Sequence, residues 1–304
     1  MATIARLAAG SRIGFGLAAV GRPGYINLGR AADLPAERTV EALRARASEL
    51  LDQAYAAGVR YVDVARSYGR AEEFLAHWLR SRPDVDDVVV GSKWGYTYTA
   101  GWRVEAETHE VKDHRLATFD RQYAETTALL GDHLDLYQIH SVTPESPALH
   151  DVALHRRLAD LGRQGVLVGL STSGPRQAEV IRDALDVRVD GEPLFRSVQA
   201  TWNLLEPSAG PALAEAHDAG CLVIVKEALA NGRLAVREDV GDAPALAAAL
   251  HQPWAAIVLS GAATADQLAS NLRAQTLTVD PTRWADLASP PDRYWQERAA
   301  LPWT

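Results

Sequence analysis

The stretch Gly58-Val-Arg-Tyr-Val-Asp63-Val-Ala-Arg-Ser-Tyr68-Gly69-Arg-Ala-Glu-Glu73-Phe-Leu75 decides the fold. A short apolar strand delivers a carboxylate at Asp63, a turn delivers a phenol at Tyr68, and a helix opens near Ala71. Two later segments repeat the arrangement. Val88-Val-Val-Gly-Ser-Lys93 ends on an ammonium, and Leu134-Asp-Leu-Tyr-Gln-Ile-His140 ends on an imidazole. Apolar strands that exit onto polar groups and then run into amphipathic helices indicate a parallel sheet with helices outside it.

Outward from this stretch the alternation continues in both directions. Upstream, Arg12 to Val20 reads as a first strand and Gly21 to Pro35 as a loop rich in Gly, Pro and Asn. Thr39 to Ala57 places Leu43, Ala47, Leu50, Leu51, Ala54 and Tyr55 at helical spacing before Gly58. Downstream, strands are expected at 87–92, 134–140, 166–171, 197–202, 222–226 and 255–260. Helices are expected at 71–80, 118–130, 149–163, 176–185, 210–219, 244–250 and 265–274. Eight strand–helix units in 304 residues favour one closed (β/α)8 TIM barrel over an open sheet, with residues 1–304 as a single domain. The segment 94–114 reads as a long aromatic loop, and the tail from Pro281, with Trp284, Trp295 and Trp303, is expected to cover one barrel end.

The composition, 47% hydrophobic and 23% charged with a formal net charge of -8, is that of a globular protein. The negative balance argues against nucleic-acid or anionic-membrane partners, both of which need clustered positive charge. One cysteine, Cys221, leaves no internal disulfide and points to a reducing compartment. The first twenty residues contain no uninterrupted apolar stretch, so neither a secretion signal nor a membrane span is expected, and the predicted location is cytoplasmic.

In such a barrel the working face is the C-terminal end of the strands, where Asp63, Lys93 and His140 fall, with Tyr68 just beyond. A phenol is a poor proton donor at neutral pH, and a nearby ammonium favours its ionised form. The carboxylate keeps the ammonium charged and in place, and the imidazole can orient a carbonyl oxygen. Each residue alone has an ordinary structural explanation, but four on adjacent strands point to function.

These motifs, in order and spacing over nearly the whole chain, resemble the aldo-keto reductase family. They are Gly14-Phe-Gly, Tyr61-Val-Asp63-Val-Ala-Arg-Ser-Tyr68-Gly, Gly91-Ser-Lys93-Trp-Gly95, Asp135-Leu-Tyr-Gln-Ile-His140, Leu259-Ser-Gly261-Ala and Asn271. The resemblance implies that Tyr68 is the proton donor in a tetrad with Asp63, Lys93 and His140. It also implies that NADP(H), with NAD(H) possible, passes a hydride to or from a small-molecule carbonyl or alcohol. On the cofactor side it implicates Ser171, Thr172 in place of an Asn, Gln199, Gly261, Gln267 and Asn271. Lys226 stands where the family places an aromatic residue on the nicotinamide; it either contacts the cofactor pyrophosphate or pairs with Glu227. Ala263 replaces the basic residue that meets a 2′-phosphate; Arg273, close by, is either an exposed arginine on the helix face or a substitute.

Trp94, Tyr96, Tyr98, Trp102 and Trp202 are candidates for the walls of a substrate pocket and equally for packing against the barrel rim. Gly14-Phe-Gly16-Leu-Ala-Ala19 fits a dinucleotide fingerprint, but Gly21, Pro23 and Gly24 argue against the helix that a true one opens. Gly169 to Gly174 is one residue too long for a nucleophile elbow. His109, Glu110, Asp113 and His114 lack a helical stripe and read as exposed loop residues rather than a metal site. Beside the enzyme stands one alternative: a cofactor-sensing or regulatory subunit that keeps the barrel but turns over little.

Overall fold

A computed structural model describes residues 6–7 and 10–304. The expectation of no apolar leader rests on residues 1–20, of which 1–5, 8 and 9 lie outside this set. Among the described residues no helix is long and apolar enough to cross a membrane.

Eight parallel strands close into a barrel in chain order. They are β1 (Ile13–Gly16), β2 (Tyr61–Asp63), β3 (Val89–Trp94), β4 (Leu134–Val142), β5 (Leu167–Thr172), β6 (Ser197–Thr201), β7 (Leu222–Lys226) and β8 (Ile257–Ser260). Strand β1 closes the ring by pairing with both β2 and β8. The outer helices are α1 (Val40–Ala56), α2 (Ala71–Arg80), α3 (Leu116–Leu130), α4 (Val152–Arg163), α5 (Gln177–Asp186), α6 (Gly210–Asp218), α7 (Asp242–Leu250) and α8 (Ala265–Leu272). A last helix, α9 (Pro291–Ala299), follows in the tail.

The two-residue period of a strand sorts its side chains between two environments. Val62, Val90, Tyr137, Ile139, Val168 and Leu170 belong to the shell between barrel and helices, as do Val198, Ala200, Val223, Val225 and Val258 on the far side. The alternate residues Tyr61, Val89, Leu136, Leu222, Ile224 and Ile257 form a separate apolar plug within the ring. Two or four residues further along the same inward positions stand Asp63, Lys93, His140 and Lys226. The polar mouth is therefore the continuation of the core pattern, with the apolar layer beneath it.

Local chemistry explains the helix boundaries. Thr39 caps α1, its hydroxyl accepting from the Ala42 N–H at 3.1 Å, and Thr264 caps α8 by accepting from the Gln267 N–H at 3.2 Å. At the start of α2 the buried Glu72 carboxylate accepts from Ser92 at 2.6 Å and Thr126 at 2.9 Å, joining α2 to β3 and α3.

Three segments depart from the expectations. The aromatic loop contains a hairpin, Tyr96–Tyr98 against Glu110–Lys112; strands of three residues give too little periodicity to read. The loop before Pro35 holds one helical turn, Arg30–Asp33. The expected loop residue His114 is buried, bonded to Ser146 Oγ at 2.6 Å and the His140 carbonyl at 2.8 Å. Its neighbours serve separate partners, Glu110 pairing with Arg22 and Asp113 with Arg115. As the sequence suggested, no helix opens after Gly14-Phe-Gly16 before Arg30.

Candidate active site

Strand pairing brings the four tetrad residues together. Asp63 pairs with Gly91 across β2–β3, and Lys93 with Gln138 across β3–β4. The pairing of β2 with β3 is prolonged by the Val64 N–H to the Gly91 carbonyl (2.9 Å) and the Arg66 N–H to the Lys93 carbonyl (3.0 Å). The Lys93 ammonium, fully buried, donates to the Asp63 carboxylate and, at 3.0 Å, to the Val64 carbonyl. The other Asp63 oxygen accepts from Gln199 Nε2 at 2.9 Å and Tyr61 Oη at 3.2 Å. Gly91 makes room for that tyrosine, since a Cβ there would lie 2.2 Å from the Tyr61 hydroxyl.

Tyr68 is set by the turn that leaves β2. Its N–H donates to the Ala65 carbonyl at 3.0 Å, and Gly69 follows with φ of 62°. A Cβ on Gly69 would meet the Gly21 carbonyl at 2.6 Å, so a side chain there is excluded twice, by conformation and by space. The Tyr68 ring stands edge-on to His140 with centroids 5.4 Å apart, and Lys93 Nζ is 5.0 Å from the Tyr68 centroid.

His140 lies where β4 loses regular register against β5, between Ile139 and Val142. The next residue, Ser141, has φ of 53°, and its N–H donates to Ser171 Oγ at 2.7 Å. Bulges beside active sites re-aim side chains, and this one turns the imidazole toward Tyr68. Tyr96 packs edge-on to the other side of His140 at 5.1 Å.

Burial is the leading influence on both titrating rings. It pushes the Tyr68 phenol well above its usual value, with the Asp63 carboxylate adding to the rise and Arg22 opposing it. The ammonium-driven lowering expected from sequence is not what this arrangement produces, because burial first and then the Asp63 carboxylate raise the phenol. Burial also pushes His140 well below its usual value, helped by Lys93, Lys226 and Arg22. At neutral pH the mouth therefore holds a protonated phenol and an uncharged imidazole.

An open groove of about 510 Å³ starts at Tyr68 and His140 and crosses Gln199, Lys226 and Ser260 to reach Gln267 and Asn271. Gly261 also lines it. Gln267 donates to Asp33 at 2.8 Å and accepts from the Ala263 N–H at 2.9 Å, and the Asn271 side chain bonds Ser260 Oγ at 2.8 Å. Asn231, nearly buried, also lines the groove, and its Oδ1 has no partner among the described residues. Amides at both ends, a cation between them and this open acceptor suit a long ligand of hydroxyl, phosphate and amide groups, as a nicotinamide dinucleotide is.

Other expected cofactor residues are engaged with protein partners. Ser171 and Thr172 are fully buried behind the groove wall; Ser171 holds the bulge, and Thr172 Oγ1 bonds Gln177 at 3.3 Å. Lys226 Nζ donates to Thr201 Oγ1 at 2.8 Å and stands 3.8 Å from Glu227, which Arg298 clasps at 2.5–3.0 Å. Arg273 is exposed and bonds Ser270 at 2.7 Å. The guanidinium that reaches the Ala263 segment is Arg46, donating to the Ala263 carbonyl at 3.0 Å.

Of the two readings of the aromatic residues, packing holds for Trp94 and Trp202. Trp94 is buried against Phe119 and Trp202 against Trp254. Tyr25 and Trp303 line the groove instead. Arg22 lies 5.0 Å from the Tyr25 ring and 4.8 Å from the Trp303 ring, and pairs with Glu110 at 2.9 Å. Trp303 stacks on His109 at 4.0 Å, and Thr304 exchanges backbone hydrogen bonds with Tyr25 at 3.0 and 3.2 Å. The tail thus covers the working end, and the only sequence signal for it was three late tryptophans.

The fold and the mouth define a (β/α)8 barrel of the aldo-keto reductase kind, and residues 12–245 match the model of the Aldo/keto reductase family. The chain belongs to that family. The oxidoreductase YqkF of Bacillus subtilis is 24% identical over 262 residues, covering 75% of this chain and 82% of that one. The aldo-keto reductase str7 of Strobilurus tenacellus is 26% identical over 155 residues, 50% of this chain but 43% of that protein, so this chain spans less than half the length of that relative in the match. An aldo-keto reductase from Bacillus halodurans, in its holo form, superposes with a TM-score of 0.68 at 20% identity over 95% of this chain and 92% of that one. One from Klebsiella pneumoniae, in complex with NADPH, gives 0.62 at 19% identity over 93% and 90%. At those identities the structural likeness speaks for the fold.

Proposed function

We propose that this protein is an NAD(P)(H)-dependent oxidoreductase that reduces an aldehyde or ketone to an alcohol, or runs the reverse on a sugar or alcohol. The observation that carries the reading is the meeting of the Tyr68 phenol and the His140 imidazole above the buried Lys93–Asp63 pair. NADP(H) is the cofactor we assign, in line with the family and with the NADPH complex of the Klebsiella pneumoniae relative; NAD(H) is the variant to test beside it. Gln199, Gln267, Asn271, Asn231 and Lys226 would hold it along the groove.

The nicotinamide supplies a hydride when bound. Tyr68, kept protonated by burial, gives its proton to the oxygen that becomes the alkoxide. His140, kept uncharged, orients that oxygen without adding a second charge. Lys93 balances the phenolate left behind, and Asp63 holds the ammonium ready for it. Glu110, Arg22, Tyr25 and Trp303 form the wall toward the substrate.

Replacing Tyr68 with Phe tests the assignment. Turnover on a panel of aldehydes and ketones should fall by about 10²–10⁴-fold while cofactor binding persists. Wild-type binding of cofactor with no turnover on that panel, in either direction, would favour the regulatory reading.

A further inference from the structure

Among the described residues, three cations line the groove: Arg22, Lys226 and Arg298. Arg22 is matched by Glu110 at 2.9 Å. Glu227 is clasped by Arg298, whose Nε lies 2.9 and 3.0 Å from its two oxygens and whose Nη2 lies at 2.5 Å. Lys226 obtains a neutral hydroxyl, Thr201 Oγ1 at 2.8 Å, and a share of the same carboxylate at 3.8 Å. Two cations thus divide one anion. Since Lys93 and Asp63 cancel, one positive charge remains around Lys226; the other carboxylates of the groove, Asp33 and Asp242, stand beside Gln267 and Asn271.

The position of that charge matters because of where a hydride donor has to stand. The substrate oxygen belongs beside Tyr68 and His140, so the donor ring must touch the carbon attached to it. That half of the mouth is lined by Asp63, Tyr68, His140 and Ser141. Space for the ring opens on the other half, over the ends of β6, β7 and β8, where Gln199, Lys226 and Ser260 line the groove. Lys226 is near enough to Lys93, Asp63 and His140 for their charges to act on one another. Burial, outweighing Glu227, pulls the ammonium down to about 8, which leaves most of it charged at neutral pH.

We propose that the Lys226 ammonium makes the groove discriminate between the oxidation states of the nicotinamide, holding the uncharged dihydropyridine more tightly than the cationic pyridinium. The proposal rests on the nicotinamide reading above. Like charges in a part-buried site repel strongly enough to outweigh solvent screening, whereas the two cofactor forms are otherwise nearly the same shape. Bound cofactor is thereby biased toward its reduced form, and the oxidised form leaves readily after a reduction.

The test is equilibrium binding of NADPH, NADP⁺, NADH and NAD⁺, followed by quenching of tryptophan fluorescence, for the wild type, Lys226→Met and Lys226→Arg. The wild type should bind each reduced form about tenfold or more tightly than its oxidised partner. Lys226→Met should bring the ratio close to one, mainly by strengthening the oxidised form, and Lys226→Arg should keep the wild-type ratio. Equal weakening of all four by Lys226→Met would mean that Lys226 meets the pyrophosphate, and would overturn the proposal. An unchanged ratio in Lys226→Met, or a wild-type ratio of one, would overturn it as well. If the wild type bound none of the four, the nicotinamide reading itself would fall, an outcome distinct from binding without discrimination.

Discussion

The Ser171 hydroxyl accepts a hydrogen bond from the Ser141 N–H at 2.7 Å, fastening β5 to the bulge in β4 that aims His140 at Tyr68. Removing that acceptor leaves a part-buried N–H unpaired in a segment already at positive φ. Ser171→Ala should therefore lower kcat for carbonyl reduction by about tenfold and stability by about 1–3 kcal/mol. Steady-state kinetics and thermal melting measure both. Loss of cofactor affinity with kcat intact would instead make Ser171 a cofactor contact.

Lys93 and Asp63 are buried together, so removing one strands the other. Lys93→Met should destabilise the fold by about 3–5 kcal/mol, because an uncompensated carboxylate remains inside the barrel. The double variant Lys93→Met with Asp63→Asn should recover much of that stability and none of the activity. Denaturant unfolding of the three proteins decides it; a double variant no more stable than the single would refute the buried-charge account.

Two titrating groups of the mouth are moved in opposite directions, out of the neutral range. Tyr68 sits well above its ordinary value and His140 well below. With saturating cofactor, kcat for reduction should be flat between about pH 5.5 and 7.5, where an ordinary histidine would titrate. For stability the sign is fixed by the lowered His140: the unfolded state binds a proton that the folded state refuses. Stability should fall as pH drops below about 6.5. A kcat step near that pH, lost in His140→Asn, would contradict the assignment of an uncharged imidazole.

Burial would raise the Glu227 carboxyl, but Arg298 and then Lys226 outweigh it and hold it at about 2. Its folded value lies below the unfolded one, so its contribution is complete above about pH 4.3 and fades as pH falls toward 2. Arg298→Leu removes the stronger partner and should shift the midpoint of acid unfolding upward by at least about half a pH unit. Circular dichroism across an acid titration gives the midpoint; an unmoved one would leave the clasp without a role in holding the tail.

Trp303 stacks on His109 and faces Arg22 at the groove wall. Trp303→Ala should raise KM for the carbonyl substrate by about tenfold and leave kcat within about a factor of three, since the residue touches none of the tetrad contacts described above. A large fall in kcat with KM unchanged would show that the tail acts on the reacting groups.

The barrel and the tetrad were legible because each strand carries its own message within five or six residues. Asp63, Lys93 and His140 are each the last inward position of a short strand whose earlier inward residues include Tyr61, Val89 and Leu136, so spacing alone brought them to one face. Tyr25, Glu110 and Trp303 carried no such signal, as they meet only through the return of the tail and a hairpin of three-residue strands. His114 looked like an exposed loop residue because its burial depends on a partner, Ser146, from a different connection. Ser171 could be picked out, but whether its hydroxyl faces the groove or the neighbouring strand depends on the bulge at Ser141.

The order of strands around the ring has a consequence for how such a chain can change. Reactive groups come from β2, β3 and β4, early in the sequence, whereas Gln199, Lys226, Ser260, Gln267 and Asn271, which line the groove, come from β6 onward. On the proposed function, substitutions in the later half would retune the hold on the cofactor and its redox state, while the groups proposed for proton transfer are inherited untouched. A chimera joined within α4 would exchange those five groove residues and keep the tetrad together with the Arg22, Tyr25 and Glu110 wall.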